Sequence, residues 1–254
     1  MKRILLTAFL FTSIIANAQT GIWGSTSAGG QYNAGVVFKL DASGNNYTKK
    51  QDLFRYDGDY PQASLFQASD GKLYGMTSSC CTFDAFSILF RYDPVTLQYE
   101  KLVNFNEIIN GANPNGSVIE AKDGKLYGMT SKGGTQDKGV IFQYNMATKT
   151  YKKLYDFDGS NGAGPESSFI EGKDGKLYGM TATGGKEDYG VLFQFDPATS
   201  AFVKKFDFDG IQNGGNPQGT LTQAKNGKLY GLTSGGGKDD FGVLFEYDLS
   251  TSTY

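Results

Sequence analysis

The sequence predicts an all-β fold: a β-propeller of four-stranded antiparallel blades, with five repeats visible in an incomplete ring. Three observations predict it. A unit of roughly fifty residues recurs along the chain, the period of blade-type repeats. Each unit divides into short strand-like runs separated by tight turns, four to a unit. The composition, with 35 Gly, 16 Tyr and 19 Phe in 254 residues, is that of a turn-rich β protein.

The repeat is plain in the residues. Leu73-Tyr74-Gly75-Met76-Thr77 recurs as Leu126-Tyr127-Gly128-Met129-Thr130, as Leu177-Tyr178-Gly179-Met180-Thr181 and as Leu229-Tyr230-Gly231-Leu232-Thr233. A first copy reads Ile22-Trp23-Gly24-Ser25-Thr26. The aromatic position steps through 23, 74, 127, 178 and 230, at spacings of 51, 53, 51 and 52. On this period the blades fall at about 19–59, 60–112, 113–163, 164–214 and 215–254, the first and last incomplete.

Within the third unit, residues 117–122 read as the first strand. Asp123-Gly124 is expected to be a two-residue type I′ turn, since both residue types tolerate positive φ. Residues 125–131 form the second strand, and Gly133-Gly134 opens a loop that closes at Gly139. Residues 140–145 and 150–158 form the third and fourth strands. In the next copy the last turn is Asp196-Pro197-Ala198-Thr199, and Pro114, Pro165 and Pro217 each introduce a unit. No segment carries a helical apolar period, which excludes a solenoid of helix pairs. A β-solenoid or a sandwich suits fifty-residue units less well.

The N-terminus reads as an export signal. Lys2 and Arg3 precede an apolar run from Ile4 to Ile15, and Ala16-Asn17-Ala18 supplies a small-residue cleavage site. The run is too short to stay in a bilayer as a span. Cleavage after Ala18 would leave Gln19 as the first mature residue and place the protein outside the cell or on its surface. The first unit then contributes only three strands, around Trp23, Val37 and residues 47–54, and the last stops at Tyr254, where its fourth strand begins. Further repeats downstream, with an anchoring or sorting module, are the expectation.

Charge and composition narrow the function. The net charge is −2, and −4 without Lys2 and Arg3, with Lys and Arg scattered. There is no electrostatic footprint for nucleic acid. The chain contains no His, which removes the commonest general base and metal ligand. No cofactor, no metal site and no catalytic residue is expected, and no later stretch is apolar enough to span a membrane.

Several repeated features are binding candidates, each with a structural alternative. Tyr74, Tyr127, Tyr178 and Tyr230 could stack sugars, or could pack between blades while the following Gly admits a neighbouring backbone. The loops holding Gly133, Gly134 and Asp137, and Gly184, Gly185 and Asp188, could cradle an anion on backbone amides, or could be tight turns that need Gly. Asp156/Asp158 and Asp207/Asp209 faintly resemble a calcium loop, but the glycine and glutamate spacing of such a loop is missing. They read as solvated turns. Cys80 and Cys81 replace the glycine pair of the other units. In an oxidising compartment they could close a disulfide between neighbours, whose eight-membered ring would present an apolar surface; two free thiols are the alternative.

The double glycines Gly133-Gly134, Gly184-Gly185 and Gly236-Gly237 give the chain a resemblance to kelch repeats. So do the turns Tyr92-Asp93-Pro94 and Phe195-Asp196-Pro197, and the aromatic openers Tyr99, Tyr151 and Phe202. The recurring pattern DGKLYGMTxxGG…GVLFxxDP is still more similar to the GloVer tandem repeats of secreted bacterial proteins, over the whole mature chain. That resemblance implies export and no defined biochemical role. The sequence therefore points to an exported, non-catalytic propeller that binds an extracellular protein or glycan or serves as a scaffold. The alternative is a carbohydrate-active hydrolase or lyase using Asp or Glu in the propeller channel. The discriminator is asymmetry: an enzyme needs two or more carboxylates, each unique to its blade, gathered around the central channel.

Overall fold

The computed structural model describes residues 21–54, 56, 58–78 and 87–254. They form five antiparallel sheets in chain order, each built from consecutive strands. Blade 1 holds β1 (Ile22–Thr26), β2 (Val36–Leu40) and β3 (Thr48–Asp52). Blade 2 holds β4 (Phe66–Gln67), β5 (Leu73–Thr77), β6 (Ile88–Tyr92) and β7 (Tyr99–Asn104). Blade 3 comprises β8 (Ile119–Glu120), β9 (Leu126–Thr130), β10 (Val140–Asn145) and β11 (Thr150–Asp156). Blade 4 comprises β12 (Ile170–Glu171), β13 (Leu177–Thr181), β14 (Val191–Phe195) and β15 (Phe202–Asp207). Blade 5 closes the series with β16 (Gly215–Gln223), β17 (Leu229–Gly235) and β18 (Leu244–Tyr247). Among the described residues α-helix is confined to one short turn, Glu107–Asn110.

The first strand of blade 3 ladders over Ile119 and Glu120 alone, not the whole of 117–122. The reason lies in where Ser117 bonds. Its amide donates to Ser168 Oγ in blade 4 at 2.8 Å, and its hydroxyl to the Ser64 carbonyl in blade 2 at 2.7 Å. Near the axis the chain satisfies its polar groups across blades instead of along its own sheet.

The hairpin after it also departs from expectation. Gly124 has φ of 73°, while Asp123 is not among the positive-φ residues, so the turn is not type I′. Gly124 N–H donates to Ala121 C=O at 2.9 Å, and Ala121 N–H to Lys125 C=O at 3.0 Å. This is a three-residue loop with glycine in the left-handed position. It leaves the Asp123 carboxylate free to accept from Lys125 N–H at 3.1 Å and from Tyr127 Oη at 2.8 Å. The same Asp–Tyr bond recurs as Asp70–Tyr74 and Asp174–Tyr178.

The hydrophobic core lies between consecutive blades. Tyr127, Met129 and Ile141 of blade 3 meet Phe169, Leu177, Phe193 and Phe195 of blade 4, and equivalent clusters join the other neighbouring pairs. Each glycine of the Leu-Tyr-Gly motif serves this packing. A Cβ on Gly128 would stand 2.5 Å from the Phe142 ring, and one on Gly179 would stand 2.7 Å from the Phe193 ring. What comes close to the glycine is therefore a phenylalanine ring of the adjacent strand, where a neighbouring backbone was expected. A register shift recurs beside that phenylalanine, at Val37/Phe38, Leu89/Phe90, Ile141/Phe142 and Leu192/Phe193. Such a bulge raises the local strand twist, which suits a radial blade.

Candidate functional site

Pro61, Pro114, Pro165 and Pro217 are buried, and Pro165 and Pro217 press against Gly139 and Gly190 of the preceding blades. The fixed φ of proline turns the chain into its innermost strand. The residue after each proline is thereby aimed at one place. Gln62, Asn115, Glu166 and Gln218, one from each of blades 2 to 5, line a single cavity of about 340 Å³ together with Gly219. A cavity shared by four blades at equivalent positions is the mouth of the central channel.

Its chemistry is polar and nearly neutral. Gln62, Glu166 and Gln218 are exposed, and Asn115 is half-buried. The Asn115 side chain is held from both sides: its oxygen accepts from Ser78 Oγ at 3.3 Å, and its nitrogen donates to Ser131 Oγ at 3.4 Å. Glu166 supplies the one ionisable side chain of the lining. Three carboxamides offer donors and acceptors in pairs, a set suited to hydroxyls or peptide groups. None of these four residues stood out in the sequence. The signal was there in a different form: a fixed proline in each unit, followed by a position that changes from unit to unit.

The residues that did stand out are scattered over the blades. Gly133 and Gly134 have φ of 80° and 79°, and Gly184 and Gly185 of 78° and 83°. The protein's own carboxylates occupy these amide nests. Asp137 accepts from Gly133 N–H and Asp188 from Gly184 N–H, both at 2.7 Å. Asp156 accepts from Thr135 N–H and Asp207 from Lys186 N–H, so each loop carries two anionic acceptors of its own. An external anion would have to displace them. Asp158 accepts from Asn161 N–H and Ser160 Oγ, bonds that hold its carboxyl below the ordinary range within a local turn.

Tyr74, Tyr127 and Tyr178 are buried between blades. Burial, reinforced by the bond to the hairpin aspartate, pushes all three phenols up. Tyr230 is half-buried, with its hydroxyl bonded to Asn226 and Glu246. Cys80 and Cys81 lie outside the described residues, as does the N-terminal segment with its cleavage site. Among the described residues no group of three or more metal-ligating side chains comes together, and no helix is long and apolar enough to cross a membrane.

Comparison with solved structures supports the architecture. TolB from Acinetobacter baumannii superposes with a TM-score of 0.53 at 13% identity, over 90% of this chain and 50% of that one. A chain of the nidogen/laminin complex gives 0.55 at 14% identity, over 87% and 70%. A candidate 6-phosphogluconolactonase from Bacteroides uniformis gives 0.57 at 17%, over 91% and 65%. The chain thus spans only half of TolB and just under two thirds of the lactonase-type protein. At these identities the likeness is one of fold, to propellers with and without enzymatic names. No curated protein matches the sequence. The Gloeobacter/Verrucomicrobia repeat model matches residues 11–124 and 85–254, which together take in all five blades, and the chain belongs to that repeat family.

Proposed function

We propose that this protein is exported and acts as a non-catalytic binding propeller, taking a neutral polar ligand, the hydroxyls of a glycan or the backbone of a protein segment, at the mouth of its channel. The observation that carries the reading is the lining: Gln62, Asn115 and Gln218 with Glu166. Hydrolysis of a glycoside uses two carboxyl groups about 5–10 Å apart, one as acid and one as base or nucleophile. The described lining supplies one. The basic Lys2-Arg3 start, the apolar run from Ile4 to Ile15 and the Ala16-Asn17-Ala18 site support export.

The test is a glycan array and a pull-down with the exported chain and with an E166Q/Q218A double variant. Both side chains are exposed, so the variant is expected to keep its melting temperature. Binding to the captured glycan or protein should weaken by about tenfold, the effect of about 1.4 kcal/mol. Turnover of a glycoside or lactone that disappears in E166Q would overturn the non-catalytic reading. Mass analysis should find Gln19 at the N-terminus of secreted material, and an intact Met1 would refute export by this signal.

A further inference from the structure

Where blades 4 and 5 meet, beside the β13–β14 and β17–β18 loops, lies a cavity of about 320 Å³ that shares no residue with the channel mouth. One wall is Tyr189. A Cβ on Gly210 would stand 2.4, 2.5 and 2.5 Å from Cε2, Cδ2 and Cζ of Tyr189, and one on Gly215 would stand 2.8 Å from its Cδ1. Nearly equal distances to three consecutive ring atoms put Gly210 under the face of the ring, not at its rim. The ring therefore rests on glycine, where any side chain would displace it, and it stays 41% exposed.

The floor is made of hydrogen-bond acceptors. Asn216 donates through Nδ2 to the Ala182 C=O at 3.0 Å, which leaves its Oδ1 for the cavity. Asp240 Oδ1 accepts from Gly236 N–H at 2.7 Å. Asp240 Oδ1 and Asn216 Oδ1 lie 3.6 and 4.0 Å from the point where a Gly235 Cβ would stand, so the two oxygens share one spot. Ser234 Oγ donates its proton to the Asn216 C=O at 2.9 Å and is left to accept as well. A ligand here must bring the protons: several hydroxyls set close together, with an apolar face to lie on the ring. A sugar ring has both. The junction of blades 3 and 4 is the control within the molecule. There Gly164 N–H bonds the Lys138 C=O just as Asn216 N–H bonds that of Tyr189, so the backbones correspond. The side chains do not. Lys138, Ala163, Gly164 and Ala182 stand in the places of Tyr189, Gly215, Asn216 and Ser234, and only Asp188, the counterpart of Asp240, is kept.

We infer that this cavity is a saccharide subsite, in which Tyr189 stacks on a neutral sugar ring while Asp240, Asn216 and Ser234 accept from its hydroxyls. The inference rests on the binding role proposed above and deepens it, since it selects a glycan over a protein segment. Asn216 precedes Gln218 of the channel lining by two residues on β16, about 7 Å along a strand. One oligosaccharide chain thus reaches from the cavity to the mouth.

The probe is a panel of neutral hexasaccharides of glucose, mannose and xylose, with a glucosamine hexasaccharide as the cationic arm, titrated calorimetrically into the exported chain. Two variants test the site. Tyr189→Lys installs the residue that blade 3 carries at this place. Asp240→Asn installs the one that blade 1 carries, where Asn33 accepts from Gly29 N–H at 3.0 Å, so the loop is kept. At least one neutral hexasaccharide is expected to bind. Each variant should weaken it at least about tenfold, the first by removing the stacking surface and the second by turning an acceptor into a donor. Unchanged affinity in either variant, binding of the glucosamine chain alone, or no binding of any neutral hexasaccharide up to millimolar concentration would overturn the inference. The two readings fail separately. Loss of binding in E166Q/Q218A with both cavity variants unaffected would confine the glycan to the mouth and overturn this site alone. Loss in both cavity variants with E166Q/Q218A unaffected would support this site and remove the mouth.

Discussion

Met129 and Leu232 hold the same position in their repeats but meet different surroundings. Met129 lies opposite Ile141 and is 2% exposed, packed between blades 3 and 4. Leu232 lies opposite Leu244, is 57% exposed and faces away from blade 4. Truncating each to alanine measures what the next blade contributes. For Met129→Ala the transfer and cavity costs together come to about 2–5 kcal/mol. For Leu232→Ala roughly four tenths of a side chain worth about 1.5–3 kcal/mol is removed from contact, and no cavity forms, so the loss is about 1 kcal/mol. At about 2–4 °C per kcal/mol for a chain of this size, melting should fall by roughly 4–20 °C in the first case and about 2–4 °C in the second. Calorimetry with parallel urea titrations reads both, and repeat proteins call for checking that the transition remains a single step. Equal losses at the two positions would refute the reasoning, since they would mean that the outer face of blade 5 is covered in solution.

Two further outcomes follow from the bonding. Tyr178→Phe deletes the 2.7 Å bond to Asp174 and should cost about 1–2 kcal/mol by urea titration, leaving the ring packing intact; no measurable loss would show the hairpin bond to be inert. Acid sensitivity should be confined to low pH. Bonding to the Lys176 ammonium holds Asp196 at about 2, below its ordinary 3.8, and side-chain or backbone hydrogen bonds lower Asp41, Asp93 and Asp248 as well. A carboxyl whose folded value is depressed adds stability that is present above the unfolded value and lost as pH falls through the folded one. Urea midpoints should therefore hold steady from about pH 5 to 8, where a chain without His has little to titrate, and fall between about pH 4 and 2, less steeply in Lys176→Met. A midpoint that moves between pH 5 and 8 would contradict this.

The strand plan of the middle blades was legible because its signals are local. The third strand, residues 140–145, and the loop from Gly133 to Gly139 stand where the sequence places them. The hairpin type was misread because Asp123 looks like a positive-φ residue when its neighbours alone are considered. What decides its conformation is the Tyr127 hydroxyl four residues on, which needs the carboxylate. The anion reading of the glycine loops met a similar limit. Two acidic side chains fill each nest, and one of them, Asp156 or Asp207, comes from 21 residues further along the chain.

By itself the sequence determined the period, the blade and the strand plan of each repeat, because strand and turn chemistry act over a few residues and the same solution is repeated along the chain. Only the tertiary structure decided the candidate sites. The channel lining joins residues about fifty positions apart, whose shared feature is geometric: each follows a buried proline that aims it at the axis. Local chemistry writes each blade into the chain, but which positions face the axis depends on how the blades pack against one another.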